Sequence, residues 1–244
     1  MAGIDAVIFD FIGTLTDLVG YSLEKSEEKL FRSLEAAGYA VSQKRFFEAY
    51  DQAHQKYRKI RYEKLVEVTN AVWVSEALNL LGYSATPEDE KVKTAVNVFF
   101  EDYVMALRLR PFAKSTLQKL SQSYRLGLVT NFTYAPAIYA ALRKLKINDH
   151  FSTIIVSEEV GWRKPSRKIF VEALSRMRVK AERVVFVGDT PLEDISGARR
   201  LGMKTIFIPS QFKSLSDMEM ADEQPDYYIR KVSDILSILR AQRS

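Results

Sequence analysis

The 244-residue chain contains no cysteine and only two histidines. The first absence excludes disulfides, a thiolate nucleophile and thiolate metal ligands. The second excludes a multi-histidine metal centre, so His54 and His150 read as ordinary surface or core residues. Long apolar runs are missing too: nothing approaches the roughly 18 residues that a bilayer-crossing helix needs, and no membrane partner is expected. The first residues lead straight into a strand pattern without a charged leader, so a cytoplasmic location is the expectation. Nor is charge of one sign concentrated anywhere. The net charge is +5, but residues 18–108 carry 13 Lys/Arg against 14 Asp/Glu, and the remainder carries 23 against 17. An excess spread this thinly, with no nucleic-acid motif, points away from nucleic acid as a partner. What is present is the 47% hydrophobic and 27% charged composition of an ordinary globular chain, long enough for one large or two modest domains.

Four apolar runs each end in polar residues that can do chemistry. Ile4 to Phe9 ends in Asp10-Phe-Ile-Gly-Thr14. A buried parallel strand reads as such a run, and it delivers Asp10 to its carboxyl end, where open α/β sheets place their ligands. Gly13 allows a sharp turn or a close backbone approach there. Residues 125–131 end in Thr130 and Asn131. Thr153-Ile-Ile-Val156 is followed by Gly161-Trp-Arg-Lys164-Pro165, which sets a lysine before a helix-starting proline. Arg183-Val-Val-Phe-Val-Gly-Asp189 ends the fourth run, with Asp194 one helical turn further on. Taken singly, Asp10 or Thr130 could be a helix cap, Lys164 a solvated lysine, and Asp194 an acid complementing a helix dipole.

Taken together, carboxylate, hydroxyl, ammonium and carboxylate pair follow one another in the order of the four motifs of the haloacid dehalogenase superfamily, which this chain resembles. The resemblance covers residues 1–17 and about 109–244. It implies that Asp10 is a nucleophile that forms an aspartyl-phosphate, that Thr130 and Lys164 assist at the phosphate, and that Gly13, Thr14 and Asn131 contact the substrate. It also implies Mg2+ held by Asp10, Asp189 and the main-chain carbonyl of Ile12, with Asp194 fixing a metal-bound water. The physical reason for the metal is that carboxylate attack on a phosphate dianion needs their repulsion cancelled, and a hard cation on oxygen ligands does this.

Between the first and second runs the strand pattern stops after Asp17. Phe46, Tyr50, Ala53, Tyr57 and Ile60 recur at helical spacing, as do Val92, Val96, Phe99 and Tyr103. Thr86-Pro87-Glu88-Asp89 reads as a helix start. Residues 18–108 are therefore expected to form an all-helical insertion, at the position of the family's C1 cap. The basic residues Lys56, Arg58, Lys59, Arg61 and Lys64 are expected to extend from it into water. From residue 112 the pattern alternates, with helices expected near 112–122, 134–146, 165–178 and 191–201. Strands are expected near 125–130, 153–157, 183–188 and 204–208, with a short last one at Asp226–Ile229 and a final helix over 232–242. That is an α/β fold, a Rossmann-like parallel sheet with helices on both faces plus the inserted cap.

One position departs from the phosphatases of the superfamily, which carry a second aspartate two residues after the nucleophile. Here it is Ile12, so general acid–base help worth ~10²–10⁴ in rate is missing. Dehalogenases also lack that acid, since halide leaves without a proton, but they have no reason to keep a metal-binding Gly188-Asp189. The reading is therefore a magnesium-dependent phosphatase of a small phosphorylated metabolite. The alternatives are a 2-haloacid dehalogenase working through an aspartyl ester, and a catalytically weak metabolite-binding protein on the same scaffold.

Overall fold

The computed structural model describes residues 3–241, so residues 1–2 and 242–244 of the expected core, including the last position of the expected C-terminal helix, lie outside the described residues. The chain opens with β1 (Ala6–Phe9) and β2 (Thr16–Leu18). The helices α1 (Leu23–Ala36), α2 (Gln43–Lys64), α3 (Asn70–Leu80) and α4 (Glu90–Ala106) follow. Then come β3 (Leu107–Leu109), α5 (Ala113–Leu120), β4 (Arg125–Thr130), α6 (Ala135–Leu145), β5 (Thr153–Val156), α7 (Ser157–Val160), α8 (Arg167–Met177) and β6 (Val184–Gly188). The last strands are β7 (Lys204–Phe207) and β8 (Tyr227–Tyr228), and a helix over Ile235–Ala241 closes the described chain.

Six strands form one parallel sheet in the order β5-β4-β1-β6-β7-β8. The continuous apolar runs have a simple cause, because alternate side chains enter different cores. Val7, Phe9, Leu126, Leu128, Val185 and Val187 pack on one face with α5 and α6. Ala6, Ile8, Val129, Val184 and Phe186 pack on the other with α8. β1 lies between β4 and β6, so the chain ends of these three strands adjoin at one edge.

Helices α1–α4 build a third core. Phe46, Tyr50 and Ala53 of α2 and Val92, Val96 and Phe99 of α4 are buried in it, while Tyr57, Ile60 and Tyr103 are half-buried. Four sequence expectations need correction. The strand pattern does not stop at Asp17: β2 runs to Leu18 and pairs antiparallel with β3, forming a two-stranded ribbon. Each strand has three residues, too few to show a period. Thr86–Asp89 is a turn rather than a first helical turn. The Asp89 carboxylate accepts from the Thr86 amide (2.8 Å) and hydroxyl (3.1 Å), and α4 begins at Glu90. Pro165 precedes α8 by two residues, and Ser166 caps it by accepting from the Lys168 amide. The helix expected over 191–201 is a π-wound turn at Pro191–Ser196 followed by one α-turn, because the Thr190 carbonyl accepts from both Asp194 and Ile195. Such widening recurs at functional sites.

The helical block also touches the sheet domain away from its ribbon. The Arg163 amide donates to the Leu65 carbonyl (3.1 Å) and the Glu67 amide to the Gly161 carbonyl (3.0 Å), around a bridge between Val66 and Trp162. The Glu67 side chain, fully buried, accepts from Ser157 Oγ at 2.6 Å and from Arg61. Among the described residues no helix is long and apolar enough to cross a membrane.

Candidate active site

β1, β4 and β6 end side by side, and their ends bring together the residues singled out in the sequence. Asp10 follows Phe9, Thr130 ends β4, and Asp189 follows Gly188. Lys164 comes in from the loop between α7 and α8 and is 1% exposed. Its ammonium donates to Asp10 Oδ1 (2.8 Å), Asp194 Oδ1 (2.6 Å) and the Val129 carbonyl (3.0 Å), so all three of its protons are used. The second oxygen of Asp194 accepts from the amides of Asp189 (3.1 Å) and Thr190 (2.9 Å). Asp10 Oδ2 accepts from the Thr14 hydroxyl at 3.1 Å.

Carboxylate oxygens of Asp10, Asp189 and Asp194 lie within 4.8 Å of one another, all buried. Two glycines make this approach available. A Cβ on Gly13 would overlap the Asp189 carboxylate, and one on Gly188 would overlap Asp194; Gly13 also has φ +90°. The charges are unbalanced, three carboxylates against one ammonium. Burial, opposed by Lys164 and reinforced by Asp189, pushes Asp10 up to about 6. Burial and Asp194 push Asp189 up to about 6, and burial, against the pull of Lys164, pushes Asp194 up to about 7. Burial opposes the charge on Lys164, but Asp10 and Asp194 overcome it and hold its pKa above the usual lysine value. The cluster is thus short of positive charge, and its donors are hard oxygens. Residues of this kind can hold a divalent metal ion.

Other predicted residues take different stations. Thr130 is buried as a residue, but its hydroxyl makes no hydrogen bond among the described residues and is not sealed off, so it is available to a ligand. Asn131 is not: its amide accepts from the Lys164 amide (2.7 Å) and donates to the Lys164 carbonyl (2.9 Å) and to Glu193 (2.9 Å). It fixes the lysine's backbone instead of facing the cluster. The Gly13 amide is spent on the Thr16 carbonyl (2.8 Å), so Gly13 contributes room, not a donor. Ile12 is half-buried against the core.

Some neighbours were not foreseen. Ser210 donates to Asp189 Oδ2 at 2.5 Å from the loop after β7; it too follows an apolar run, at Phe207-Ile208-Pro209, which was the available signal. Arg110 donates to the carbonyls of Gly13 (2.7 Å) and Pro209 (2.9 Å), tying the two loops together. Arg163, 3% exposed, bonds Glu193 at 3.0 Å and lies 4.1 Å over the Tyr62 ring. The basic cluster of α2 was expected to extend into water; Lys56 and Lys59 do stay at the surface, paired there with Glu76 and Glu63, but Arg61 turns inward to Glu67.

Sequence comparison identifies the family. Residues 4–202 match the family model described as haloacid dehalogenase-like hydrolase. The chain belongs to that family. Among curated members, it is 36% identical over 159 residues to the glyceraldehyde 3-phosphate phosphatase of Methanopyrus kandleri, covering 64% of this chain and 67% of that one. A glyceraldehyde 3-phosphate phosphatase of Methanothermobacter thermautotrophicus is 31% identical over 84% of this chain and 86% of its own. Among solved structures, a 2-haloacid dehalogenase from Pseudomonas syringae pv. Tomato superposes with a TM-score of 0.75 at 26% identity, covering 99% of this chain and 100% of that one. The family makes the protein a hydrolase. The proteins it resembles include both phosphatases and a dehalogenase.

Proposed function

We propose that the protein is a magnesium-dependent phosphatase of a small phosphorylated metabolite, with residues 1–17 and 109–244 as the catalytic core and residues 18–108 as a helical cap. The observation that carries this reading is the buried triad of Asp10, Asp189 and Asp194 around a single lysine. Asp189 lies beside Asp10 with hydroxyl donors but no ion pair among the described residues; a metal-free reaction has no use for that uncompensated carboxylate, whereas Mg2+ supplies the missing charge and favours carboxylate ligands. The phosphatase names of the two curated relatives support the same reading.

Asp10, Asp189 and the Ile12 carbonyl would hold the cation. Asp194, with both oxygens committed to Lys164 and to backbone amides, positions the lysine and the Asp189 loop. When bound, Mg2+ offsets the repulsion between carboxylate and phosphate and stabilises charge on the phosphoryl oxygens. An oxygen of Asp10 attacks phosphorus, the P–O bond to the organic part breaks, and an aspartyl-phosphate forms. Lys164 balances the negative charge in transit, and the unpartnered Thr130 hydroxyl donates to a phosphoryl oxygen. The departing oxygen takes its proton from water, because Ile12 has none to give. A second water attacks phosphorus, releasing phosphate and restoring the Asp10 carboxylate.

The test is p-nitrophenyl phosphate turnover with Mg2+ and with EDTA. Activity that needs the metal and vanishes in Asp10→Asn is expected; undiminished activity in EDTA would overturn the reading. The runner-up, 2-haloacid dehalogenation, draws on Ile12 and on the solved dehalogenase of similar shape. It requires chloride release from 2-chloropropionate that persists in EDTA.

A further inference from the structure

Lys164 is gripped at both ends. Its ammonium bonds Asp194 at 2.6 Å, and Asn131 bonds both its amide and its carbonyl. The residue before it bonds the residue before Asp194: Arg163 Nη2 donates to Glu193 Oε1 at 3.0 Å. Two consecutive cations therefore cross to two consecutive acids. The second oxygen of Glu193 accepts from Asn131 Nδ2 at 2.9 Å, so the Arg163–Glu193 pair stands directly behind the side chain that fixes the main chain of Lys164. On its other side Arg163 meets the helical block. Its amide donates to the Leu65 carbonyl at 3.1 Å, and its guanidinium lies 4.1 Å over the ring of Tyr62, in the last turn of α2.

As a stabilising residue Arg163 is poorly chosen. It is 3% exposed, and its Nε and Nη1 are buried without a hydrogen-bond partner among the described residues. The Tyr62 ring attracts the charge but gives these two groups no acceptor. Buried N–H groups in that state destabilise a fold, and apolar side chains of similar volume often serve it better than a buried ion pair. Nor do the two nitrogens await a ligand, since both are sealed from solvent. The side chain's one directed bond among the described residues, to Glu193, is what remains to account for it.

We propose that Arg163 is a positioning residue for Lys164, acting through Glu193. The ion pair holds the Glu193 carboxylate against Asn131, and Asn131 sets the main chain from which the lysine reaches Asp10 and Asp194. The proposal rests on the phosphatase reading for its reaction. Glu193 is partly open to water, so without Arg163 its carboxylate is free to turn outward and leave Asn131. Any shift of the lysine's main chain is carried along the side chain to an ammonium that has three acceptors to meet. A displacement of about 1 Å at a reacting group can cost ~10² in turnover. Arg163 makes no bond to Asp10, Thr130 or Asp189 among the described residues, so its loss should slow the reaction without weakening the hold on substrate. Lys164 serves both phosphoryl transfers, to Asp10 and to water, so kcat falls whichever of them limits it.

The test compares the wild type with Arg163→Met, Glu193→Ala, Glu193→Gln and the double variant Arg163→Met/Glu193→Ala. Three quantities are read: p-nitrophenyl phosphate kinetics at saturating Mg2+, Tm, and the exchange rate of the Lys164 amide hydrogen by NMR, which reports its bond to Asn131 without any turnover. Arg163→Met is expected to lower kcat by about 10- to 100-fold, with KM within about threefold, and to speed the exchange about tenfold. Glu193→Ala should do the same, and Glu193→Gln, which keeps an acceptor for Asn131, should lose less. The double variant should be no slower than the slower single one, since the two residues act in series. It should also melt no lower than the wild type, since it leaves no unpaired charge and removes the unbonded nitrogens. Unchanged kcat and exchange in Arg163→Met would overturn the proposal. So would multiplied losses in the double variant, or a clearly lower Tm there, the mark of a structural pair. A wild type that hydrolyses no phosphate ester would overturn the phosphatase reading, and the exchange rates would still decide for or against Arg163.

Discussion

The strand-end cluster and the cap cavity are built on opposite terms. In the cluster the bonding is saturated: Lys164 has three acceptors for its three protons, and both oxygens of Asp194 are committed. The cap cavity is lined mostly by aromatic rings, with Glu27, His54 and Arg61 at its wall. A saturated cluster holds its geometry before any substrate arrives, which is what stabilising a transition state requires. A cavity lined by rings discriminates by the shape and polarity of what enters it, which is what selectivity requires. Changes in the first region should therefore act on rate and stability, and changes in the second on the choice of substrate.

The largest effect expected is from Asp10→Asn, which should cut phosphatase turnover by about 10⁴-fold or more while leaving the emission of the cap residue Trp73 unchanged in a Trp162→Phe background. Loss of both together would show that the two regions do not work separately. Next, Lys164→Met leaves three buried carboxylates without their cation and should destabilise the protein by about 3–5 kcal/mol, as breaking a buried ion pair does. Urea unfolding in the presence of EDTA measures this; a loss below about 1 kcal/mol would contradict the saturated picture.

Ile12→Asp comes third. With no side-chain base at position 12, the wild type should accumulate a phosphoenzyme that acid quenching traps. The aspartate should raise kcat by about 10-fold, part of the ~10²–10⁴ attributed to general acid–base catalysis, and drain that intermediate. No gain in a folded, metal-binding variant would mean that position 12 belongs to an apolar wall suited to a different leaving group.

A smaller effect follows from the raised carboxylates. Asp10 and Asp189 titrate near 6 and Asp194 near 7 in the fold, against an ordinary 3.8. A carboxyl with a raised folded pKa binds its proton more tightly when folded. Its contribution is full below about pH 4 and is lost as pH rises through 6 to 7. The metal-free protein should therefore gain Tm as pH falls from 8 to 5, and Mg2+ should raise Tm more at pH 8 than at pH 5. A Tm without pH dependence in EDTA would argue against the charge imbalance. Least of all, Lys59→Ala, which removes an exposed pair 3.8 Å from Glu63, should change stability by less than about 0.5 kcal/mol.

The same division governs what the sequence revealed. Asp10, Thr130, Lys164, Asp189 and Asp194 were legible because each follows an apolar run, and a parallel sheet aligns the ends of such runs without knowledge of side-chain contacts. The alternating helices and strands after residue 112 were legible for the same reason. Ser210 carries the same signal, after Phe207-Ile208-Pro209, but belongs to none of the four motifs, and Arg110 carries none, since its role depends on loops that meet only in the folded chain. Asn131 has the right position but spends its amide on Lys164, a choice set by a partner 33 residues away. The cavity was beyond periodic reading altogether: Phe46, Tyr50 and Phe99 show a buried face, but nothing in their spacing says that Trp73 and Asn70 leave a gap opposite. Arg61 looked like its exposed neighbours until Glu67 came within reach.

Glu67 and its neighbours also bear on how a substrate reaches the buried cluster. The cap leaves the core through the ribbon of β2 and β3, and it is fastened a second time where Leu65, Val66 and Glu67 meet Gly161, Trp162 and Arg163. A flap on one hinge swings freely, but a span resting on two abutments does not. Wide opening has to shear the second abutment, at the expense of two backbone hydrogen bonds and the Ser157–Glu67 contact. Motion that keeps it intact still has to slide Phe100 and Tyr103 of α4 over Phe132. Traffic in and out of the site is thus governed by masonry on a stretch of chain other than the ribbon.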